Sequence, residues 1–434
     1  VMEINGKKFI SSLESRGLIY QKSGSDDLEE HLNSERTVYC GFDPTADSLH
    51  LGHLVPLLML KRFQLAGHKP IALVGGATGL IGDPSFKATE RKLHSAEIVE
   101  QWALKITSQI ENLINVDELK SVSIINNASW LSEIKMLDFL RDIGKYFSIN
   151  NLIAKESVKK RIEREGEGIS YTEFSYSLVQ ALDFAQLYKQ VDCTIQVGGS
   201  DQWGNIVSGI ELNRRQGKTQ CFGITVPLIT KSDGTKFGKT ESGSVWLDSK
   251  KTSPYMFYQF WLRVEDEDVY KFLNFFTFLS EEYIQQVKIN DESSENKPIA
   301  QSILAEEVTR FVHGQEHLDA AKRITNALFS NSAENLLQGD FKQLALDGLP
   351  HVILGDTDKS SLSLSKLIVD AGITKSGREV KDALKRGAIS INGKIISPED
   401  GFNMDSLFAK DHSQYDNYFL IKVGKKKHLL VSLR

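Results

Sequence analysis

A parallel α/β sheet with crossover helices, followed by a helical segment and a small α+β unit, is the architecture this sequence predicts. Three observations carry it. Between about Thr37 and Leu247, short apolar runs such as Ile71 to Val74 and Thr194 to Val197 end in glycine-rich loops. They alternate with longer amphipathic stretches, Leu54 to Leu65 and Ala96 to Ile114, which is the pattern of strands joined by helices with ligands held at the strands' carboxyl ends. From Ser253 to Phe329 the periodicity is helical throughout, with Phe257, Phe260, Phe272, Phe275, Phe276 and Phe278 supplying much of the apolar surface.

The third observation is a change of composition near the C-terminus. A loosely patterned stretch of about 330–361, with Pro350, Gly355, Asp356 and Asp358, reads as a linker. Beyond it Leu364, Leu367, Ile368 and Ala371 share one helix face, and Val380, Ala383 and Leu384 share another. Ile389 and Ile391 then run into the turn residues Asn392 and Gly393. The expected boundaries are therefore 1–247, 248–329, 330–361 and 362–434. A chain of 434 residues, 41% hydrophobic and 25% charged, is long enough for several cores and has the composition of an ordinary globular protein.

The same features limit the class. No apolar run approaches the roughly 20 residues that span a bilayer, and residues Glu3, Lys7 and Lys8 precede no long apolar stretch, so neither a membrane span nor a secretory leader is expected. Cys40, Cys193 and Cys221 are too few and too far apart for a disulfide framework or a zinc site. A cytoplasmic protein is the expectation. The net charge of −5 does not announce a nucleic-acid binder, but basic residues collect at the end of the chain. Lys375, Arg378, Lys381, Lys385, Arg386 and Lys394 are followed by Lys422, Lys425, Lys426 and Lys427. Clustering of this kind in an otherwise acidic chain favours RNA over a merely solvated face.

Two segments carry chemistry. The first is a strand-like run into Tyr39, Cys40, Gly41, Phe42, Asp43, Pro44 and Thr45, then His50, Leu51, Gly52 and His53. The spacing predicts a helix starting at the histidines, with both imidazoles on one face. Gly52 has no side chain to keep a flat ligand away, and a helix start offers amide donors and partial positive charge to phosphate. The second is Lys236, Phe237, Gly238, Lys239 and Thr240 after the turn Ser232, Asp233 and Gly234. Two lysines beside glycines make a cationic loop able to neutralise a departing pyrophosphate. Either segment alone also fits an ordinary turn with surface charges.

Together and in this order they resemble the paired HIGH and KMSKS signatures of class I aminoacyl-tRNA synthetases. The stretches Tyr39 to His53, Leu73 to Pro84, Thr172 to Phe184, Gln196 to Asn205 and Lys236 to Thr240 are similar to bacterial-type tyrosyl-tRNA synthetases. That resemblance implies a Rossmann-like catalytic domain with the dimer interface, an α-helical anticodon-arm domain and an S4-like tRNA-binding domain. It implies ATP with Mg2+ as its companion, L-tyrosine and tRNA(Tyr) as partners, a homodimer, and neither DNA nor a tightly held protein metal. For ATP it implies contacts from Cys40, Gly41, Asp43, His50, Gly52, His53, Gly199, Asp201, Lys236 and Lys239. Thr45 and His50 would meet the γ-phosphate and His53 the ribose region. Lys236, Lys239 and Thr240, joined by Lys87 and Arg91, would meet pyrophosphate.

For the amino acid, Tyr176, Gln180 and Asp183 fall at i, i+4 and i+7 of one expected helix from about Thr172 to Tyr188, a polar stripe among apolar neighbours. The resemblance turns that stripe inward. Asp183 then accepts from the phenolic hydroxyl with help from Tyr39, while Tyr176, Gln180 and Asp83 receive the ammonium and Gln202 orients the carboxylate. Leu182 should face away. Phenylalanine should be a poor substrate, the standard example of rejection by unpaired polar groups in enzymes of this very kind. Lys375, Arg378, Lys381, Lys385, Arg386, Lys425, Lys426 and Lys427 are the expected tRNA contacts. A nucleotidyltransferase of the same superfamily would lack the basic tail, and a non-catalytic RNA-binding relative would have lost His50, His53, Lys236 or Lys239. A tryptophanyl enzyme shares the fold, yet Tyr39 with Asp183 suits a phenol.

Overall fold

The computed structural model describes every residue except 1–3, 86–92, 115–121, 164–167, 241–242, 331–332 and 356–360. The chain divides into two compact units, one formed by Val1–Lys251 with Val264–Leu304, the other by Thr252–Arg263 with Ala305–Arg434.

The first unit is built on a six-stranded sheet. Its strands are β1 (Gln21–Lys22), β2 (Thr37–Phe42), β3 (Lys69–Val74), β4 (Ser123–Asn126), β5 (Cys193–Gly199) and β6 (Phe222–Val226), in the order β1-β6-β5-β2-β3-β4. All neighbours are parallel except β1 with β6. The chain leaves β2 toward β3 and β4, then returns to lay β5 and β6 on the other side. The order therefore reverses between β2 and β5, and a crevice opens at the carboxyl ends of those strands. Strand β6 is buried at every position and β5 at all but its last, as expected of a sheet covered on both faces. The helix Leu54–Leu65 buries ten of its twelve residues because it lies against that sheet rather than on its rim.

The Tyr171–Val191 helix starts where Ser170 accepts from the Glu173 amide and ends at Asp192 in the left-handed conformation. Tyr176 and Asp183 are buried and Gln180 is half-buried, so the polar stripe faces inward. Leu182 packs with Ile143, Ala181 and Leu212 in a separate cluster, turned away from the stripe as anticipated. After the sheet come the short hairpin strands β7 (Lys239–Thr240) and β8 (Gly243–Ser244). The helices Asp266–Phe276 and Glu281–Ser293 belong to this same unit.

The second unit holds the helices Pro254–Leu262 and Gln315–Ser330 and a five-stranded sheet. The helical stretch expected as one body over 248–329 is thus divided between two. The stretch expected as a linker over 330–361 is also ordered in part. It contains the helix Gln338–Leu346 and strand β9 (His351–Leu354), which pairs in parallel with β13 (Lys427–Leu433). Phe341 stacks on Tyr418 at 5.0 Å and Leu336, Phe341 and Leu344 join Leu420 and Leu430 in one core. Sparse apolar spacing hid these contacts, because an element secured by two or three large side chains leaves little periodicity to read. The remaining strands, β10 (Ile389–Ile391), β11 (Lys394–Ile395) and β12 (Tyr418–Val423), complete the order β11-β10-β12-β13-β9. Asn392 and Gly393 both take positive φ, 47° and 83°, in the tight turn between β10 and β11, which is why that dipeptide stands there.

Candidate active site

A cavity of about 360 Å³ opens where β2 and β5 end, within the size range of small-molecule sites. Its floor is set by strand register: Tyr39 on β2 lies beside Gln196 on β5 and Ile71 on β3. Across from them Asp183, only 2% exposed, accepts from Trp130 Nε1 at 2.8 Å and Asn127 Nδ2 at 3.0 Å. Burial raises the Asp183 carboxyl to about 7, the two donated bonds oppose the rise, and the charge of Asp43 adds to it.

This has a consequence for stability. Between about pH 4 and pH 7 the folded protein holds a proton on Asp183 that the unfolded chain has released, so this group makes stability fall as pH rises through that window. The expected slope from this group is at most about 1.4 kcal/mol per pH unit. Denaturant unfolding at pH 5 and pH 8 checks it: Asp183→Asn should remove that part of the difference, and an unchanged difference would contradict it.

The opposite wall is a second network. Tyr176 donates to Asp43 Oδ2 at 2.6 Å, Thr78 donates to Asp43 Oδ1 at 2.6 Å, and Asn127 Nδ2 donates to Thr78 Oγ1 at 3.0 Å. Asn127 therefore links the carboxylates of Asp43 and Asp183 through one amide, while its Oδ1 accepts from the Ala77 amide at 2.9 Å. A Cβ on Gly75 would sit 1.9 Å from Asp43 Oδ1 and 2.3 Å from Thr78 Oγ1, so the network can pass only where that residue is glycine. Asp43, expected beside ATP, is bonded here to Tyr176. The third group is Gln202, which donates to Asp83 Oδ2 at 2.6 Å and whose Oε1 accepts from Gln180 and Asn205 at 3.3 and 3.2 Å. Ser85 accepts from Asn205 at 3.2 Å and donates its amide to Asp83.

At the mouth the histidines differ from the expected helix start. His50 is extended and caps a 3-10 turn over Leu51–His53, and the α-helix begins only at Leu54. His50 Nδ1 accepts from the Gly52 amide at 3.0 Å and His53 Nδ1 accepts from the His50 amide at 3.1 Å. An accepting Nδ1 leaves the proton of the neutral ring on Nε2, so each imidazole carries its N–H donor there. Their centroids are 4.0 Å apart. Cys40 and Gly41 on β2, Gly199 at the end of β5 and Asp201 just after it also line the cavity with Gly52 and Thr45. The Cys40 thiol, buried and near the Asp201 charge, is pushed up to about 12 and stays protonated.

The lysine loop reaches the histidine segment through the main chain. Leu51 N donates to Val245 O and Leu247 N to Leu49 O, each at 2.9 Å, with His50 opposite Trp246. Gly238 has φ 86°, and a Cβ there would lie 3.2 Å from Leu51 Cβ, so glycine is required twice over at that position. Phe237 fixes the loop from below, its ring 4.3 Å from that of Phe272. Lys236 and Lys239 are exposed. Thr240 falls on β7, and Lys87 and Arg91 lie outside the described residues.

The matching family model, tRNA synthetases class I (W and Y), covers residues 31–330. The chain belongs to that family. A second module follows: residues 340–431 match the tyrosine–tRNA ligase SYY-like C-terminal domain. Among relatives of this synthetase, the tyrosine–tRNA ligase 1 of Vibrio parahaemolyticus is 54% identical over 97% of this chain and 98% of its own. The tyrosine–tRNA ligase of Chromobacterium violaceum is 53% identical over 97% and 98%. A C-terminally truncated mitochondrial tyrosyl-tRNA synthetase of Aspergillus nidulans is 30% identical, with a TM-score of 0.66 over 74% of this chain and 94% of that one.

All eight basic residues expected to meet RNA are exposed. Arg386, Lys425, Lys426 and Lys427 share one cleft of about 440 Å³ with Glu379 and Asp382, whereas Lys375, Arg378, Lys381 and Lys385 stand outside it. Sequence reasoning missed Thr78, Asn127, Trp130, Gln196 and Asn205. The available signal was weak: Asn126 ends β4 and Asn127 directly follows it, at a strand end where ligands of such sheets collect.

Proposed function

We propose that the chain is a tyrosine–tRNA ligase. It joins L-tyrosine to ATP, giving tyrosyl-adenylate and pyrophosphate, then passes the tyrosyl group to the 3′-terminal ribose of tRNA(Tyr). The observation that carries this reading is the buried Asp183 at the floor of a cavity whose mouth holds His50 and His53. High identity to tyrosine–tRNA ligases over nearly the whole chain supports it.

In this reading the tyrosine carboxylate attacks the α-phosphate in line, without a protein nucleophile. Positioning and charge placement supply the catalysis. The phenol donates to Asp183 and accepts from Tyr39. Tyr176, Gln180 and Asp83 hold the ammonium, with Asp43 orienting Tyr176, and Gln202 orients the carboxylate. Asp201, Gly199, Cys40 and Gly41 frame the ribose. The Nε2–H donors of His50 and His53, with Thr45, act on phosphate and ribose oxygens. Lys236, Lys239, Thr240, Lys87 and Arg91 take the charge of the departing pyrophosphate, and Mg2+ travels with ATP as part of the substrate. The helical region 248–329 takes the anticodon arm, and the exposed lysines and arginines of 362–434 take other parts of the tRNA. Exposed Met136, Leu137, Leu140, Ile149 and Ile153 offer an apolar face for a homodimer. The proposed enzyme is cytoplasmic and acts on neither membrane nor DNA; among the described residues no helix is long and apolar enough to cross a membrane.

A panel of amino acids in the pyrophosphate-exchange assay tests the assignment. Tyrosine alone should support exchange, and exchange with tryptophan, or with none, would refute it. The tail has its own test. Reversing Lys425 and Lys426 to glutamate should raise KM for tRNA by roughly tenfold or more, as expected when two or more phosphate contacts are lost. An equal fall in tyrosine-dependent exchange would make those lysines structural instead.

A further inference from the structure

Two buried polar atoms at the cavity floor have no hydrogen-bond partner: the Tyr39 hydroxyl and Gln196 Oε1. The two residues stand opposite one another on adjoining parallel strands, so their side chains leave the sheet on the same face, and both line the cavity. Gln196 is 3% exposed. Its neighbour on the far side, Gly223 on β6, has no side chain to offer. Leaving such an oxygen unpaired forfeits a hydrogen bond it would have made with water. Other polar groups nearby are already engaged, Asp183 by Asn127 and Trp130 and Thr78 by Asp43.

An amide oxygen only accepts, so whatever completes Gln196 must donate. The phenolic proton goes to Asp183 in the reading above, and Tyr39 donates to the phenolic oxygen. The unpaired acceptor therefore faces the ring beside the hydroxyl. We propose that Gln196 is a specificity-determining residue that reads the ring position ortho to the phenol and accepts from a donor carried there. This rests on the tyrosine reading of the same cavity. Tyrosine itself presents the slightly positive C–H edge of its ring, which an amide oxygen tolerates. A 3-hydroxyl or 3-amino group would pair with Gln196, whereas a 3-methyl group fills similar space and leaves the oxygen unpaired. The ligand class is that of L-amino acids with a catechol or an ortho-aminophenol ring.

The experiment is pyrophosphate exchange by the full chain with L-tyrosine and its 3-hydroxy, 3-amino and 3-methyl derivatives. The 3-hydroxy and 3-amino compounds should exceed the 3-methyl compound in kcat/KM by roughly tenfold, the worth of one buried hydrogen bond. In Gln196→Met, which keeps length and removes the acceptor, that ratio should fall to about one. Equal rates for the 3-amino and 3-methyl compounds in the unaltered protein would overturn the inference alone, whether or not the variant folds. A preference that persists in Gln196→Met would overturn it too. Exchange absent with L-tyrosine itself would overturn the function and this inference together.

Discussion

Asp183→Ala should lower kcat/KM for tyrosine by roughly three to four powers of ten while leaving the slow reaction with phenylalanine nearly where it was. The carboxylate does two jobs at once. In the proposed function it accepts a hydrogen bond from the phenol, and it satisfies Trp130 Nε1 and Asn127 Nδ2 at 2.8 and 3.0 Å. Alanine leaves the phenol without an acceptor and both protein donors without a partner. Loss of one charge-assisted bond, at about 1.5–3 kcal/mol, and burial of the phenolic hydroxyl without an acceptor, at about 1–3 kcal/mol, add to roughly 2.5–6 kcal/mol, a span that includes three to four powers of ten; the orphaned protein donors burden both substrates alike. Phenylalanine never used the bond and loses little. Equilibrium dialysis with labelled tyrosine separates binding from chemistry, and a tyrosine affinity within tenfold of the unaltered protein would remove Asp183 from the pocket. The same carboxyl gives a pH signature. With Asp183 raised to about 7 in the free protein, kcat/KM for tyrosine should fall tenfold per pH unit below that value, because a protonated carboxyl no longer accepts the phenolic proton as a charged partner. Asp183→Asn should abolish this acid limb.

What could be read from the sequence follows from the range of the interactions involved. The Tyr171–Val191 helix announces a polar stripe through the spacing of Tyr176, Gln180 and Asp183, since helix geometry is local, whereas the direction of that stripe came from the family resemblance alone. The strand ends announce themselves through glycine, as at Gly75, because backbone and buried polar groups crowd there. Asn127, Trp130 and Gln196 carried no such mark. Gln196 reaches the site on β5 beside β2, and Asn127 and Trp130 just past the end of β4 beside β3, and such register brings together distant positions, Tyr39 with Gln196 and Ile71 with Ser123, without local periodicity. The exchange of caps between His50 and His53 was likewise hidden: spacing of three suggested a shared helix face, whereas the backbone amides of His50 and Gly52 draw both Nδ1 atoms into a tighter turn. Strand β9 was missed for a related reason, since its partner β13 lies near the far end of the chain.

Lys239→Ala should slow tyrosyl-adenylate formation by roughly two to three powers of ten in single-turnover experiments, the loss typical when one preorganised charge or donor is removed from a transition state. The reason is positional. The loop bearing Lys236 and Lys239 is tied to the histidine segment on its C-terminal side by the main-chain bonds of Leu49 and Leu51 to Leu247 and Val245, and Gly238 packs against Leu51. The backbone of this loop therefore runs beside the histidine segment, and in the proposed function its charge meets the departing pyrophosphate there. The amino-acid end is built from other elements, Asp183, Tyr176 and Gln180 on one helix and Asp83 with Gln202 on two loops. Loss of the lysine should accordingly appear in the rate of the chemical step, with tyrosine affinity moving less than the rate by a wide margin. Substituting Gly238 with alanine should produce a related defect by a different route, because its left-handed φ and its contact with Leu51 both resist a side chain. A normal single-turnover rate in Lys239→Ala would mean that the loop's charge plays no part in expelling pyrophosphate. A loss of tyrosine affinity as large as the loss of rate would mean that the loop shapes the amino-acid pocket instead.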